Sequence, residues 1–281
     1  MSKKILITGG NGNIAKIIRN NLNNIYDIFS PSHSELDILN YNKLHDYINN
    51  IKPDILIHTA ILGGRRTKEE TGEVIYKNLL MFENIIKCSK NIKMIINFDS
   101  AAIYDRNTDI INRKENELNT IPEDYYGFSK YLIYQRSLQY NNIYNFRIFN
   151  IFHINEEKDR FIKACFLAKK NNTEFIIHDD KYFDFVYEDD FVKIIKYYLD
   201  NFDKKNLEKT INICYKQKYK LSEIAKIIEN IGEQKKINIK ILNSKSNNNY
   251  CGDNKLLENI TDIKLNGLEK SLEIYNDLII Y

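Results

Sequence analysis

The segment Thr8-Gly9-Gly10-Asn11-Gly12-Asn13-Ile14-Ala15 narrows the fold of this chain more than any other. The apolar run Ile5-Leu6-Ile7 precedes it, and Ile14, Ile17, Ile18 and Leu22 follow at helical spacing. A glycine turn between a buried strand and a helix opens a dinucleotide-binding βαβ unit. Gly9 permits the tight turn, and Gly12 lets backbone approach a pyrophosphate at the positive end of the helix. Ala15 sits where only a small side chain fits between helix and sheet. The cofactor contacts expected here are Gly9, Gly12, Asn13 and Ile14.

The first half continues as alternating strands and helices. Tyr26 to Phe29, Ile55-Leu56-Ile57, Met94 to Phe98 and Phe146 to Phe149 read as strands. Leu44 to Ile51, Val74 to Cys88 and Tyr126 to Tyr140 read as helices, the first of these stopped near Pro53. This alternation implies an α/β fold, a doubly wound parallel sheet of Rossmann type covered on both faces. The second half is less regular. Helices are expected at Phe161 to Ala168, from about Asp190, at Leu221 to Ile231 and at Leu268 to Leu278. Extended segments are expected at Glu174 to Ile177, Phe185 to Tyr187 and Ile211 to Ile213, with a loop at Ser244 to Asn249.

Composition excludes several function classes. Of 281 residues, 43% are hydrophobic and 28% charged, which fits a globular protein and not a disordered one. No run approaches the length of a membrane-spanning helix, and no signal peptide's apolar segment precedes the first glycines. With 41 basic against 38 acidic residues, electrostatics gives no case for nucleic acid. Cys88, Cys165, Cys214 and Cys251 stand too far apart for a metal motif, so no metal is expected. Reduced thiols in a cytoplasm are the simple expectation.

The corner after the second strand tunes the cofactor. An acidic residue there would grip the ribose diol of NAD and repel a 2′-phosphate. The strand ends Phe29-Ser30-Pro31-Ser32-His33, with no carboxylate at the corner and with Ser30 and His33 able to donate to phosphate. NADP(H) is therefore preferred over NAD(H). Asp37, in Leu36-Asp37-Ile38, is better placed to meet adenine.

Proton-transfer chemistry is suggested by Ser100, after the strand Met94 to Phe98, and by Tyr126 and Lys130 one helix later. With 20 tyrosines and abundant lysine, about two Tyr-x-x-x-Lys pairs arise by chance, and only this one occurs. Its position carries the argument. An i, i+4 pair shares a helix face. The Lys130 ammonium would favour phenolate at Tyr126, so that Tyr126 exchanges a proton with a carbonyl or alcohol near neutral pH. Ser100 would hydrogen-bond the same oxygen as charge develops.

These motifs, with His58-Thr59-Ala60, Asn78, Arg147-Ile-Phe-Asn150 and Phe185-Val-Tyr-Glu-Asp189-Asp190, resemble the extended short-chain dehydrogenase/reductases. That superfamily holds the nucleotide-sugar epimerases, dehydratases and reductases. Ala60-Ile-Leu-Gly63-Gly64 and Ser100-Ala-Ala-Ile-Tyr104 are most similar to its GDP-L-fucose synthase branch. The resemblance implies that Lys130 also holds the nicotinamide ribose, that Ile38, Ala60 and Asn78 line the cofactor, and that Asn150 touches the sugar nucleotide. It implies a Rossmann domain of residues 1–152 with 183–213 and a substrate domain of 153–182 with 214–281. It also implies a homodimer through the helices near 74–90 and 126–140.

Departures from the family narrow the chemistry. After Ser100, 4,6-dehydratases carry Asp and Glu, and fucose synthases carry a Cys at the second position. Here Ala101 and Ala102 stand there, and Arg160 falls near the place of the fucose-synthase His. Methyl groups transfer no protons, so dehydration and 3,5-epimerisation are disfavoured. Hydride transfer at one carbon, C4, remains. Two arginines that the family uses near the substrate are missing, at Tyr182-Phe183-Asp184 and at Asn247 to Tyr250. Lys163, Lys181 or Lys245 are either substitute point charges or solvated surface lysines, and Arg65 or Arg66 either reaches a substrate or cofactor phosphate from the Gly63-Gly64 loop or belongs to a solvated loop. The substrate contacts expected are Ala102, Asn150, Arg65 and Lys181. His58 reads as a core histidine, His153 lies at the domain seam, and His45 and His178 have no partner pattern. The expected activity is NADPH-dependent reduction of a nucleotide-activated 4-keto-6-deoxy sugar. The alternatives are a 4-epimerase with tightly bound NAD and a non-catalytic binding protein on the same fold.

Overall fold

The computed structural model describes residues 2–65, 69–232, 235–242, 248–260 and 262–279. In chain order the elements are β1 (Lys4–Thr8), α1 (Asn13–Leu22), β2 (Asp27–Phe29), α2 (Tyr41–Ile51), β3 (Ile55–His58), α3 (Glu73–Cys88) and β4 (Met94–Ser100). Then come β5 (Ile110–Arg113), α4 (Tyr125–Ser137), β6 (Ile143–Ile148), β7 (Ile151–Phe152), α5 (Phe161–Asn171), β8 (Glu174–Ile177) and β9 (Val186–Tyr187). The chain ends with α6 (Glu188–Asn201), β10 (Thr210–Ile213), α7 (Leu221–Asn230), β11 (Asn238–Ile241), β12 (Tyr250–Gly252), α8 (Lys255–Glu258) and α9 (Gly267–Leu278).

One compact unit comprises Met1–Asp105, Leu118–Arg147 and Ile195–Ile211. It is built on a six-stranded sheet of order β10-β6-β4-β3-β1-β2, the doubly wound α/β fold that the alternation implied. Parallel register joins β1 to β2 and β3, and β3 to β4. All of β3 and β4 is buried, as strands covered on both faces must be, and each opens on an apolar run, Ile55-Leu56-Ile57 and Met94-Ile95-Ile96. Local chemistry sets the helix ends. The Asn40 side chain accepts from Lys43 N–H to start α2, and Lys52 ends it in a left-handed turn (φ 49°) before Pro53. Leu6, Leu56 and Ile95 of the sheet pack with Phe82 and Ile85 of α3 and Ile133 of α4.

Beneath the carboxyl end of β4 lies a buried ion pair. Arg147 Nε on β6 donates to Asp99 Oδ2 at 2.7 Å, and Arg147 Nη1 donates to the Tyr104 hydroxyl at 2.6 Å. Burial works against the guanidinium charge, but Asp99 and Tyr104 more than offset it, and its pKa stands above the ordinary value.

The second unit comprises Arg106–Glu117, Ile148–Ile194 and Asn212–Tyr281. It holds three two-stranded pairs, β5 with β12, β7 with β9, and β8 with β11. The expected division placed 106–117, 148–152, 183–194 and 212–213 in the Rossmann part; they fall in this second unit. Ile110 of the first of these segments aligns with Tyr250 of the same unit. Asp184 adds a cross-link within this unit, accepting from Lys218 Nζ and from Gly252 N–H, each at 2.8 Å. Among the described residues no helix is long and apolar enough to cross a membrane, and no cluster of metal-ligating side chains occurs. Cys88, Cys165, Cys214 and Cys251 are free thiols.

Replacing Arg147 by Met leaves the buried Asp99 carboxylate without its bonded cation. Urea unfolding should show a loss of about 3–5 kcal/mol, the magnitude for breaking one side of a buried pair.

Candidate active site

The glycine turn sits where the strand order reverses between β1 and β3, at their carboxyl ends, the usual ligand position in such sheets. Gly9 has φ +71°, and a Cβ there would stand 2.9 Å from Ala60 Cα, so β1 and β3 exits pass in contact. Gly10, not singled out from sequence, is the tightest position of all: a Cβ would fall 2.2 Å from Ser30 O. Its N–H donates to Pro31 O at 2.9 Å. Gly12 precedes α1 in an extended conformation with no side-chain cap, and no acidic residue occupies the first turn. Asn13 is exposed, Ile14 half-buried and Ala15 wholly buried. Ser30 Oγ is buried with no hydrogen-bond partner among the described residues. Uncapped helix N–H groups beside an orphaned hydroxyl fit a dinucleotide phosphate.

The corner after β2 requires a correction. Sequence reading placed no carboxylate there, yet Glu35 folds back onto it. Glu35 Oε2 accepts from the N–H and the hydroxyl of Ser32, both at 2.7 Å. Those two bonds hold the Glu35 carboxyl below its ordinary pKa. His33 is exposed and lies 3.8 Å from Asp37 Oδ1, the same oxygen that accepts from Leu39 N–H at 3.0 Å. Ile38 is buried in the core, and Asn84, also not singled out, donates to its carbonyl at 3.0 Å.

Ser100 ends β4, where its Oγ accepts from Ala102 N–H at 3.2 Å and its N–H donates to Asp99 Oδ1 at 2.8 Å. That bond uses a lone pair of the hydroxyl and leaves its hydrogen to donate. Lys130 is 5% exposed, and its ammonium donates to Phe98 O at 2.5 Å. The same Nζ lies 5.7 Å from the centroid of the Tyr126 ring. The helix that carries both sits hard against the strand exit. A Cβ on Gly127 would meet Ala102 O at 2.8 Å, which holds Tyr126 and Lys130 close to the turn after Ser100. Burial pushes the Lys130 pKa down to about 8 against the opposing charge of Asp99. His58 bonds the Thr8 hydroxyl through Nδ1 at 2.9 Å, and burial with the Lys130 charge pushes its pKa down to about 3. It is a neutral core histidine.

Other expected site residues are placed as follows. Ala101 and Ala102 are wholly buried, so Ala102 contributes backbone and no accessible methyl. Asn78 is buried, bonding the backbone N–H and C=O of Leu62 at 2.9 and 3.0 Å and Ser129 Oγ at 3.1 Å. Its amide therefore holds a loop. Arg65 is exposed on that loop. In the second unit Asn150 Oδ1 accepts from Arg160 Nη2 at 3.2 Å, and Lys163 Nζ donates to Ile154 O at 2.8 Å. Lys181 is half-buried, its carbonyl accepting from Leu221 N–H at 3.0 Å. Burial, with the charges of Lys163 and Arg160, pushes the His153 pKa down to about 4. Arg66 and Lys245 lie outside the described residues, as does most of the Ser244 to Asn249 stretch.

Residues 5–214 match the model of the NAD dependent epimerase/dehydratase family. The chain belongs to that family. It is accordingly an NAD(P)-dependent enzyme. Over 253 residues it is 24% identical to GDP-L-colitose synthase of Yersinia pseudotuberculosis, covering 81% of this chain and 82% of that protein. Among solved structures, dTDP-4-dehydrorhamnose reductase of Bacillus anthracis, in complex with NADP, superposes with a TM-score of 0.85 at 20% identity. That match covers 99% of this chain and 98% of the reductase. GDP-mannoheptose C4 reductase of Campylobacter jejuni, also with NADP bound, gives 0.80 at 20% identity over 98% of each chain.

Glu35 occupies the N–H and hydroxyl of Ser32, donors that its removal would free for a 2′-phosphate. Glu35→Ala should raise the affinity for NADPH relative to NADH, as measured by fluorescence titration of both cofactors.

Proposed function

We propose that this protein reduces the C4 ketone of a nucleotide-activated 4-keto-6-deoxy sugar with NADPH, in the biosynthesis of a deoxysugar for glycans. The observation that carries the reading is the buried Lys130 ammonium, 5.7 Å from the Tyr126 ring and bonded to the strand that ends at Ser100. The names of the relatives, a colitose synthase, a dehydrorhamnose reductase and a C4 reductase, support it. Gly9, Gly12 and the first N–H groups of α1 hold the cofactor pyrophosphate in this reading, and Ser30, Ser32 and His33 lie at the ribose corner. Lys130 doubles as a ribose ligand.

The bound nicotinamide supplies the hydride. Ser100 donates its hydroxyl hydrogen to the ketone oxygen and stabilises the charge that develops there. Tyr126 gives its proton to that oxygen. Lys130 stabilises the phenolate left behind. Ala101 and Ala102 place no acid, base or thiol beside the sugar, so neither water nor a neighbouring C–H proton is removed. Asn150 and Lys181 are proposed to bind the nucleotide sugar. The homodimer is proposed to form on the helices near 74–90 and 126–140, where Tyr76 and Leu138 are exposed.

A 4-epimerase with tightly held NAD is the second reading, and the Glu35 carboxylate at the ribose corner is the observation that favours it. Purified protein that releases stoichiometric NAD on denaturation, and oxidises no NADPH with keto sugars, would establish it.

The direct test follows NADPH absorbance on addition of GDP-, UDP-, dTDP- and CDP-linked 4-keto-6-deoxy sugars. One of them should be reduced, and Tyr126→Phe should lower kcat by about 10²–10⁴, the usual range for a positioned proton donor. No turnover with any of them would defeat the proposal. Lys130 is charged below its pKa of about 8 and neutral above it. Because the charge favours the phenolate formed in the reaction, the reduction rate should fall as pH rises through about 8. A pH–rate profile reads this directly.

A further inference from the structure

We propose that Glu70 is a positioning residue for Tyr126, fixing the orientation in which the phenol gives up its proton. The proposal rests on the reading of Tyr126 as proton donor. Glu70 uses its two carboxylate oxygens on two different segments. Oε1 accepts from Gly64 N–H at 2.5 Å, and Oε2 accepts from Tyr126 N–H at 3.1 Å. One side chain thus joins the loop after β3 to the first turn of α4. The Tyr126 N–H is one of the donors that a helix leaves unpaired at its start, and Asp124 already serves Gly127. A carboxylate at this end also suits the helix dipole.

The two glycines of the loop explain how the contact closes. Gly63 and Gly64 have φ of +81° and +90°, a region that disfavours side chains. A Cβ on Gly63 would stand 2.7 Å from Glu70 Oε1, and a Cβ on Gly64 would stand 3.1 Å from two carbons of the Tyr126 ring. Bare backbone therefore wraps the carboxylate and walls one face of the phenol. Asn78 makes a second bridge of the same kind, from Leu62 backbone to Ser129 Oγ, and Ser129 Oγ donates to Tyr126 O at 2.8 Å. The bridged residues of α4, 126 and 129, are three apart and so face the loop together. With its backbone held at N–H and C=O and one ring face blocked, Tyr126 has few orientations left. Glu70 touches neither substrate nor cofactor in this scheme and acts only through Tyr126.

The test compares the full-length protein with Glu70→Ala, Glu70→Gln and, as a control, Glu69→Ala, whose side chain is exposed. Steady-state reduction, NADPH binding by fluorescence and amide hydrogen exchange over residues 60–65 and 125–130 are measured on each. Glu70→Ala should lower kcat by about tenfold or more, since small misplacements of a reacting group are costly. KM for the sugar and Kd for NADPH should stay within about twofold, because binding groups are untouched. Exchange at Gly64 and Tyr126 should quicken. Glu70→Gln keeps one acceptor oxygen but turns an amide N–H toward the other donor, so it keeps half of the bridge and its kcat should fall between those of Glu70→Ala and the parent. Glu69→Ala should match the parent. Unchanged kcat in Glu70→Ala overturns the proposal, as does a loss of kcat, KM and NADPH affinity together that Glu70→Gln shares in full. If the parent reduces no keto sugar, the reductase reading has failed, and with it the assignment of Glu70 to proton transfer. Unaltered exchange at Gly64 and Tyr126 in Glu70→Ala would then remove the bridge itself as well.

Discussion

The ammonium of Lys130 is the group around which the site is organised. A buried charge is tolerated only when its donors are satisfied and an opposite charge stands near. The Phe98 carbonyl accepts from it and ties α4 to β4, and Asp99 supplies the opposite charge nearby. The same burial that makes the charge hard to keep brings its pKa down toward neutrality. Structure and chemistry therefore share one cause. A lysine at this position in water would neither anchor the helix nor change protonation at a useful pH.

Layers of support surround that ammonium. Below it, Asp99 is held by Arg147 and by Ser100 N–H, and the same carboxylate is the counter-charge of Lys130. Beside it, the loop after β3 is stitched to α4 by Asn78 and Glu70. Across the sheet, Gly9 and Gly10 let the turn after β1 lie against Ala60 and Ser30 without a side chain between. Every one of these contacts is made by backbone or by a polar side chain. Directional bonds of this kind hold reacting groups more narrowly than apolar packing does.

Much of this was legible before any coordinates. The glycine turn, the buried strands and the helix carrying Tyr126 and Lys130 announce themselves through local spacing, which backbone geometry alone enforces. Boundaries shifted by a few residues, as with β6, which begins at Ile143 and not Phe146. Short strands escaped. Ile110–Arg113 and Tyr250–Gly252 have four and three residues, too few for a period to show, and they are strands only because they meet each other. Glu35 was overlooked because a carboxylate three residues from Ser32 reaches the corner only once the chain turns back. Glu70 and Asn84 left no signal at all, since their partners lie 56 and 46 residues away.

By itself the sequence determined the alternation of strands and helices, the place of the glycine turn, and the residue types available for proton transfer. Those depend on neighbours within a turn or two of the chain, where local sterics and periodicity decide. Tertiary structure alone decided which carboxylate reaches the corner after β2, that Lys130 is buried, that Asn78 holds a loop, and which side chains bond the backbone of Tyr126. Each of these depends on burial or on a hydrogen bond between distant segments, and neither exists until the sheet has assembled and excluded water from its carboxyl end.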